Sequence, residues 1–196
     1  MPMSVSLYMS MSRRFSSGWL ALALATLSLS PACGEEDGEA KKIGESQGSW
    51  TVYAMPYTAD PARANPISGT IAGRAEVFDV GGKTKVRLDL SGLPTARKFG
   101  SHVHRAACDD NKAGTHYQHT PAPPDGSVTD PSYANVHNEI WLDFSTDAAG
   151  KATVERTVDF KIEGARAKAV VIHDMETNPN DGTAGPKLAC INLTVN

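Results

Sequence analysis

The stretch GTIAGRAEVFDVGGKTKVRLDLSGL, residues 69–93, predicts a β-hairpin. Its first half is rich in β-branched and aromatic residues, which favour strands. In its second half Val86, Leu88 and Leu90 alternate with polar neighbours, so we expect one face of this strand to be buried. The Gly-Gly pair at 81–82 separates the halves and suits the tight turn of a hairpin. This hairpin indicates a β protein.

Short apolar runs extend the same pattern along the rest of the chain. Turn-forming residues separate them, and none shows the periodicity of an amphipathic helix. With the two halves of the hairpin they give eight candidate strands. The further six are residues 50–55, 98–105, 139–145, 151–160, 167–173 and 188–195.

Two segments break the pattern of short turns: a first loop, residues 106–138, and a second loop, residues 174–186. Both are rich in Pro, Gly, Asp and Asn and lack strand alternation. Long loops inside a compact β domain are usually functional or disordered. The predicted fold is therefore all-β, an eight-stranded antiparallel Greek-key β-barrel or sandwich with two long functional loops.

The histidines concentrate around these loops. Five of the six lie in the first loop or on the strand that enters it, and the sixth, His173, ends the strand before the second loop. His102 and His104 are two residues apart on a predicted strand, so they project together while Val103 faces the opposite side. An H-x-H pair alone is also compatible with a solvated strand face.

A metal site becomes the stronger interpretation once the loops are considered. Loops that bring His116 and His173 to His102 and His104 would assemble four imidazoles. A site of imidazoles without thiolate suits copper or zinc, and tetragonal nitrogen coordination suits Cu(II) in particular.

The N-terminus predicts export rather than structure. Arg13 and Arg14 precede an apolar run, residues 19–29, that is too short to cross a bilayer as a stable helix but fits a secretory signal. We interpret residues 1–32 as a signal peptide. The small residues before Cys33 resemble a bacterial lipobox, in which the cysteine is lipidated and becomes the mature N-terminus. The alternative is plain cleavage, with Cys33 as an ordinary residue.

Residues 33–48 are polar and glycine-rich, and we expect a flexible linker that holds a domain, residues 49–196, away from a membrane. The expected location is periplasmic or outer-surface, with a lipid anchor in a bacterial membrane. The net charge of −3 and the lack of basic runs argue against a nucleic-acid partner.

The cysteine count agrees with export. If Cys33 is lipidated, Cys108 and Cys190 remain as a pair in an oxidising compartment, and we expect a disulfide between them. The alternative is two unrelated buried thiols.

Four short motifs together resemble the copper/zinc superoxide dismutases. They are GSHVH (100–104), AGTHYQH (113–119), AVVIH (169–173) and GTAGPKLAC (182–190), in the family's order, and the likeness covers about residues 49–196.

The resemblance implies a copper site and an activity. It makes His102, His104, His116 and His173 the copper ligands, with His116 the histidine that bridges copper to zinc, and it makes Cys108–Cys190 the family's disulfide. The implied reaction converts superoxide to oxygen and hydrogen peroxide, with His116 as proton carrier. A homodimer is left open.

Lys187 is the first departure from the family, because it stands where the family has an arginine that overlooks copper. A lysine keeps the positive charge that attracts superoxide but loses the planar fork that orients an anion. Lys187 is therefore the second catalytic candidate, with slower turnover expected.

The set of zinc ligands is the second departure from the family. His137 stands at the last zinc histidine, the family's aspartate falls on Ile140 with Glu139 beside it, and no histidine occupies the middle position. An altered zinc site could use His116, His119, His137 and Glu139. The alternative is that His119 and His137 are polar loop histidines. With its short second loop, the chain then resembles the copper-only branch of the family.

Two other functions compete with a dismutase. One is a periplasmic copper-binding module on the same scaffold without significant turnover. The other is a structural barrel whose histidines are vestigial, since fold does not imply function.

Overall fold

The structure is a computed structural model that describes residues 39–54 and 65–196. The predicted signal peptide, the lipidation site at Cys33 and linker residues 34–38 lie outside the described residues. Within the described part of the chain there are nine strands, one short 3-10 segment and no α-helix. No helix in that part is long and apolar enough to cross a membrane.

The strands follow one another along the chain with one 3-10 segment, Asn111–Ala113, between the fifth and the sixth. They are β1 (Lys41–Val52), β2 (Ala72–Val80), β3 (Lys83–Ser91), β4 (Lys98–Phe99), β5 (Ser101–His104), β6 (Phe144–Ser145), β7 (Ala152–Val158), β8 (Ala169–His173) and β9 (Lys187–Val195).

Seven strands form one curled antiparallel sheet in the order β5-β8-β9-β1-β2-β3-β7, and β4 pairs with β6 in a small second sheet. The segment before β6 runs along the edge strand β5, where Leu142 N donates to Ser101 O at 2.7 Å and Val103 N donates to Ile140 O at 3.3 Å. The predicted all-β antiparallel barrel or sandwich is confirmed.

The predicted hairpin of residues 69–93 is formed by β2 and β3. β2 and β3 pair without a break from Ala72–Ser91 to Val80–Lys83. The turn glycines Gly81 and Gly82 have φ values of 61° and 85°, the positive values that a two-residue type I′ turn needs. The alternating residues of β3 are buried, as predicted: Val86, Leu88 and Leu90.

The predicted strand at residues 98–105 is interrupted at Gly100, which makes nine strands rather than eight. The end of β8 and the start of the second loop lie against this residue: Gly100 N donates to Met175 O, and His173 N donates to Gly100 O, both at 2.7 Å. A Cβ at Gly100 would lie 2.5 Å from Met175 O and 2.7 Å from Ala184 Cβ. Only a glycine allows the second loop to approach the backbone this closely.

The linker prediction was wrong for its second half, because β1 begins at Lys41. Lys41 pairs with Asp79 of β2, and Gly44 pairs with Val195 of β9. Most side chains in this half of β1 are exposed. Hydrophobic alternation, which depends on one buried face, therefore gives no signal there.

The core lies on both faces of β8. Val170 and Ile172 face the main core, while Ala169 and Val171 pack in a second cluster with the two cysteines of the disulfide. All five residues of β8 are buried, including His173 at its end. A strand that is fixed on both faces holds its terminal histidine rigidly.

Candidate metal centre

Four histidines meet where β5, β8 and the first loop come together. His102 and His104 lie on β5, and His173 ends the neighbouring strand β8. The first loop folds back along β5, where His116 forms an isolated antiparallel bridge with His104. The hydrogen bond from Tyr117 N to Val103 O, at 2.8 Å, holds this return in place.

The side chains form a compact cluster. One potential ligand atom from each of the four histidines lies within 4.8 Å of the others. His102 and His104 are completely buried, His173 is 3% exposed, and the His116 side chain is 17% exposed. Val103 points the other way into the main core, as strand alternation predicts.

Backbone carbonyls orient two of the rings. Nδ1 of His104 lies 3.2 Å from Gly114 O, and Nδ1 of His173 lies 3.0 Å from Gly185 O. Because a carbonyl only accepts, each Nδ1 carries the proton and each Nε2 keeps a lone pair. The two Nε2 atoms lie 3.2 Å apart. Two facing lone pairs at this distance repel each other unless a cation or a proton lies between them.

His102 is oriented in the opposite sense. Its Nε2 lies 2.7 Å from Thr177 Oγ1, and its Nδ1 is buried without a hydrogen-bond partner. A buried polar atom without a partner costs about 1–3 kcal/mol, so its presence points to a ligand. The donor set therefore fits a metal ion bound by imidazole nitrogens.

Burial keeps these rings neutral. Desolvation, followed by the other imidazoles of the cluster, holds the pKa of both His102 and His104 well below the usual range. Burial, followed by His116, lowers the pKa of His173 to about 3. Neutral imidazole is the form that binds a metal, so the cluster is ready for a metal at neutral pH.

His116 has a different partner from the other three. Its Nδ1 donates to Glu139 Oε2 at 2.9 Å. Glu139 is only 1% exposed, and its carboxylate also accepts from Trp141 Nε1 at 2.7 Å and from Gln118 Nε2 at 2.9 Å. The sequence predicted Glu139 only as a ligand in an altered zinc site. It gave no indication of Trp141 and Gln118, for which it carries no motif.

The structure does not gather the residues predicted for zinc. His119 is exposed and stacks on Phe160 with ring centroids 4.5 Å apart, and His137 is also exposed. Of that set, His116 and Glu139 are hydrogen-bonded to each other. Within residues 39–54 and 65–196 no second group of His, Cys, Asp or Glu is placed to hold a metal. This placement agrees with the alternative of polar loop histidines.

Lys187 lies beside the cluster, at a pocket of about 340 Å³ that His104, His116 and His173 also line. Its Nζ donates to Lys112 O at 2.7 Å and to Gly114 O, the carbonyl that orients His104. Burial, and secondarily the charge of Lys112, lowers the pKa of Lys187. Lys187 therefore stabilises the first loop and also places a positive charge near the histidines.

The predicted disulfide between Cys108 and Cys190 is confirmed, with Cα atoms 5.7 Å apart. It fastens the first loop to β9. Cys108 N also donates to Asn192 Oδ1, and Tyr53 Oη donates to Cys108 O, both at 2.9 Å. The loop that carries His116 is thus anchored covalently beside the site.

Fold and site together define an all-β antiparallel half-barrel with a buried cluster of four histidines that could hold a metal ion. No family model and no curated protein matches the chain. Among solved structures it is similar to the one described as "Crystal Structure Analysis of the clock protein EA4", with a TM-score of 0.47 and 17% sequence identity. That match covers 81% of this chain and 98% of the other. A likeness this distant indicates nothing about function.

Proposed function

We propose that this protein is a copper-dependent superoxide dismutase that converts superoxide to oxygen and hydrogen peroxide outside the cytoplasm. The observation that carries the proposal is the convergence of four histidines, three of them buried, beside a pocket lined by a lysine. The motif resemblance to the copper/zinc superoxide dismutases supports the same function.

The donor set favours copper over other common metals. Four imidazole nitrogens without thiolate or carboxylate suit Cu(II), which also stands highest among the divalent first-row metals in affinity for nitrogen sites. His104 and His173 would bind through Nε2, and His102 through its unpartnered Nδ1. His116 would bind through Nε2, because Glu139 holds its Nδ1.

When bound, copper supplies the one-electron chemistry: one superoxide is oxidised to oxygen, and a second is reduced and takes up two protons to give hydrogen peroxide. The protein supplies position and charge. His116 is the candidate proton carrier, since its side chain is the most exposed of the four and lines the pocket. Its Nε2 would take up a proton only when that atom is not bound to copper. The buried Glu139 carboxylate accepts the Nδ1–H of His116 and fixes the orientation of its ring.

Lys187 completes the proposed site by attracting the anionic substrate into the pocket. Its two carbonyl partners hold the ammonium in one place.

The proposed location is the periplasm or the outer surface, with Cys33 lipidated and the membrane contacted through that anchor alone. The Cys108–Cys190 disulfide supports an oxidising compartment. Superoxide is the proposed small-molecule partner.

The decisive experiment follows superoxide decay by pulse radiolysis on the protein loaded with copper alone. We expect fast, copper-dependent decay that is lost in His104→Ala. The matched control is His137→Ala, which removes an exposed histidine outside the cluster and should leave the rate unchanged. Copper binding without decay would contradict the dismutase.

That outcome would support the second candidate, a copper-binding module without significant turnover. The observation that favours it is Lys187, a half-buried residue whose ammonium is already bonded to two carbonyls. A cation held in this way guides an anion less effectively than a free one.

A further inference from the structure

We propose that Thr177 is a positioning residue that fixes the tautomer of His102, so that His102 presents Nδ1 to the metal. The inference rests on the proposed metal binding at the four histidines. It concerns a hydroxyl of the second loop, which lies 75 residues from His102 in the sequence and contacts it directly.

The direction of each hydrogen bond follows from what each group can donate. Thr177 Oγ1 lies 2.6 Å from Asp143 Oδ1 and 2.7 Å from His102 Nε2. An ionised carboxylate only accepts, so the single hydroxyl proton of Thr177 goes to Asp143. The hydroxyl can then only accept from His102, whose Nε2 must carry the ring proton. A neutral imidazole has one such proton, so Nδ1 is left with a lone pair.

The unpartnered atom agrees with this chain of donors. Nδ1 of His102 is buried and has no hydrogen-bond partner, whereas Nδ1 of His104, of His173 and of His116 is bonded. His102 is thus the one member of the cluster that offers Nδ1. The opposite tautomer would place a proton on Nδ1 inside the cluster, where it would block a metal.

The carboxylate of Asp143 is itself held in place by two backbone N–H groups. Asp143 Oδ2 accepts from Thr177 N at 2.8 Å, and Asp143 Oδ1 accepts from Ser101 N at 3.2 Å. The direct distance from Asp143 Oδ1 to His102 Nε2 is 3.9 Å, which is too long for a hydrogen bond. The carboxylate therefore acts on His102 through the hydroxyl of Thr177, and the second loop must be seated for the ligand to be oriented.

The test compares Thr177→Val, which keeps the shape and removes the hydroxyl, with Thr177→Ser, which keeps the hydroxyl. The matched control is Thr183→Val in the same loop. The Thr183 hydroxyl donates to Asp181 Oδ1 at 2.7 Å and, among the described residues, bonds to none of the four histidines. Thr177→Ala is the second variant, used if Thr177→Val does not fold.

The first readout is the tautomer of His102 in the metal-free protein, from the ¹⁵N shifts of its ring nitrogens. We expect a single Nε2–H tautomer in the wild type, in Thr177→Ser and in Thr183→Val, and a mixture in Thr177→Val or Thr177→Ala. The second readout is Cu(II) affinity by competition with a chelator. We expect a loss of about 10–100-fold in Thr177→Val, as for other residues that orient metal ligands, and recovery in Thr177→Ser.

An unchanged single tautomer with unchanged Cu(II) affinity in a folded Thr177→Val or Thr177→Ala would overturn the inference. Its failure is distinguishable from failure of the proposed function. The tautomer is measured without copper or superoxide, and a wild type that binds copper but does not turn over would leave the role of Thr177 intact.

Discussion

The carboxylate of Glu139 lies 2.9 Å from Nδ1 of His116, so the nitrogen that would bridge to a second metal is already hydrogen-bonded. Glu139 is buried and further fixed by Gln118 and Trp141. A buried carboxylate with three donors is costly to displace, because each donor would lose a charge-assisted bond. We therefore expect this contact to limit the centre to one metal ion.

The first prediction concerns metal content. We expect one equivalent of copper per chain, and no second equivalent when zinc is added, because Glu139 occupies Nδ1 of His116. Elemental analysis after dialysis against both metals measures this. Stoichiometric zinc retained together with copper would contradict it.

The second prediction is that Glu139→Gln weakens Cu(II) binding by about 10–100-fold, because a neutral amide holds the His116 ring in its metal-binding orientation less firmly than a carboxylate does. Chelator competition measures the change. Glu155→Gln is the control, since Glu155 of β7 forms an exposed pair with Arg87 of β3, and β7 is the sheet edge opposite to β5. Equal affinities for the two variants would contradict a role for the Glu139 charge.

The third prediction concerns the stability of the metal-free protein at acid pH. Burial lowers the pKa of His102 and His104 well below the usual range, and that of His173 to about 3. In the unfolded chain the pKa of each of these histidines is about 6.5. Between about pH 6.5 and 3 the unfolded state therefore binds protons that the folded state does not, and stability falls as the pH falls.

We expect the free energy of unfolding to be insensitive to these groups above about pH 6.5 and to drop below it by about 1.4 kcal/mol per pH unit for each histidine. Urea unfolding at several pH values measures the slope. His173→Gln should reduce the slope by the contribution of one histidine. His137→Gln, at an exposed position, should leave the slope close to the wild-type value. Equal slopes in the two variants would show that burial does not control the titration of His173.

The fourth prediction concerns the close contact between Gly100 and the second loop. A methyl group there would meet Met175 O and Ala184 Cβ at 2.5 and 2.7 Å, so Gly100→Ala should destabilise the fold by about 1–3 kcal/mol and displace the second loop. Chemical unfolding gives the magnitude. Gly69→Ala is the control because nothing lies within 4 Å of its added Cβ. A Gly100→Ala variant as stable as the wild type would mean that the second loop does not pack closely against residue 100.

The fifth prediction concerns the disulfide. Cys108 and Cys190 are 82 residues apart, and for a loop of this length the chain-entropy model gives about 4–5 kcal/mol. We expect Cys108→Ser with Cys190→Ser to lose about this stability and to weaken copper binding, since the first loop is then no longer tied to β9. Unfolding curves with and without reductant check the wild type. If reduction leaves the copper affinity unchanged, the disulfide is not needed to hold the first loop in its metal-binding position.

Local patterns predicted much of the fold. The 69–93 hairpin follows from alternation and a Gly-Gly turn, both of which act between neighbours in sequence. The joint projection of His102 and His104 follows from the two-residue period of a strand. The first part of β1 escaped prediction because its exposed side chains carry no alternation. Its place is fixed by backbone pairing with the neighbouring strands, as between Gly44 of β1 and Val195 of β9.

The sequence by itself determined the strands with one buried face and the two long loops. It also determined that His102 and His104 project from the same face of one strand. Only the tertiary structure decided the partners of those histidines. Glu139 reaches His116 across 23 residues, and Thr177 reaches His102 across 75. The physical reason is that periodicity reports which face of a strand is buried, whereas a hydrogen bond between distant residues depends on how loops close over that face.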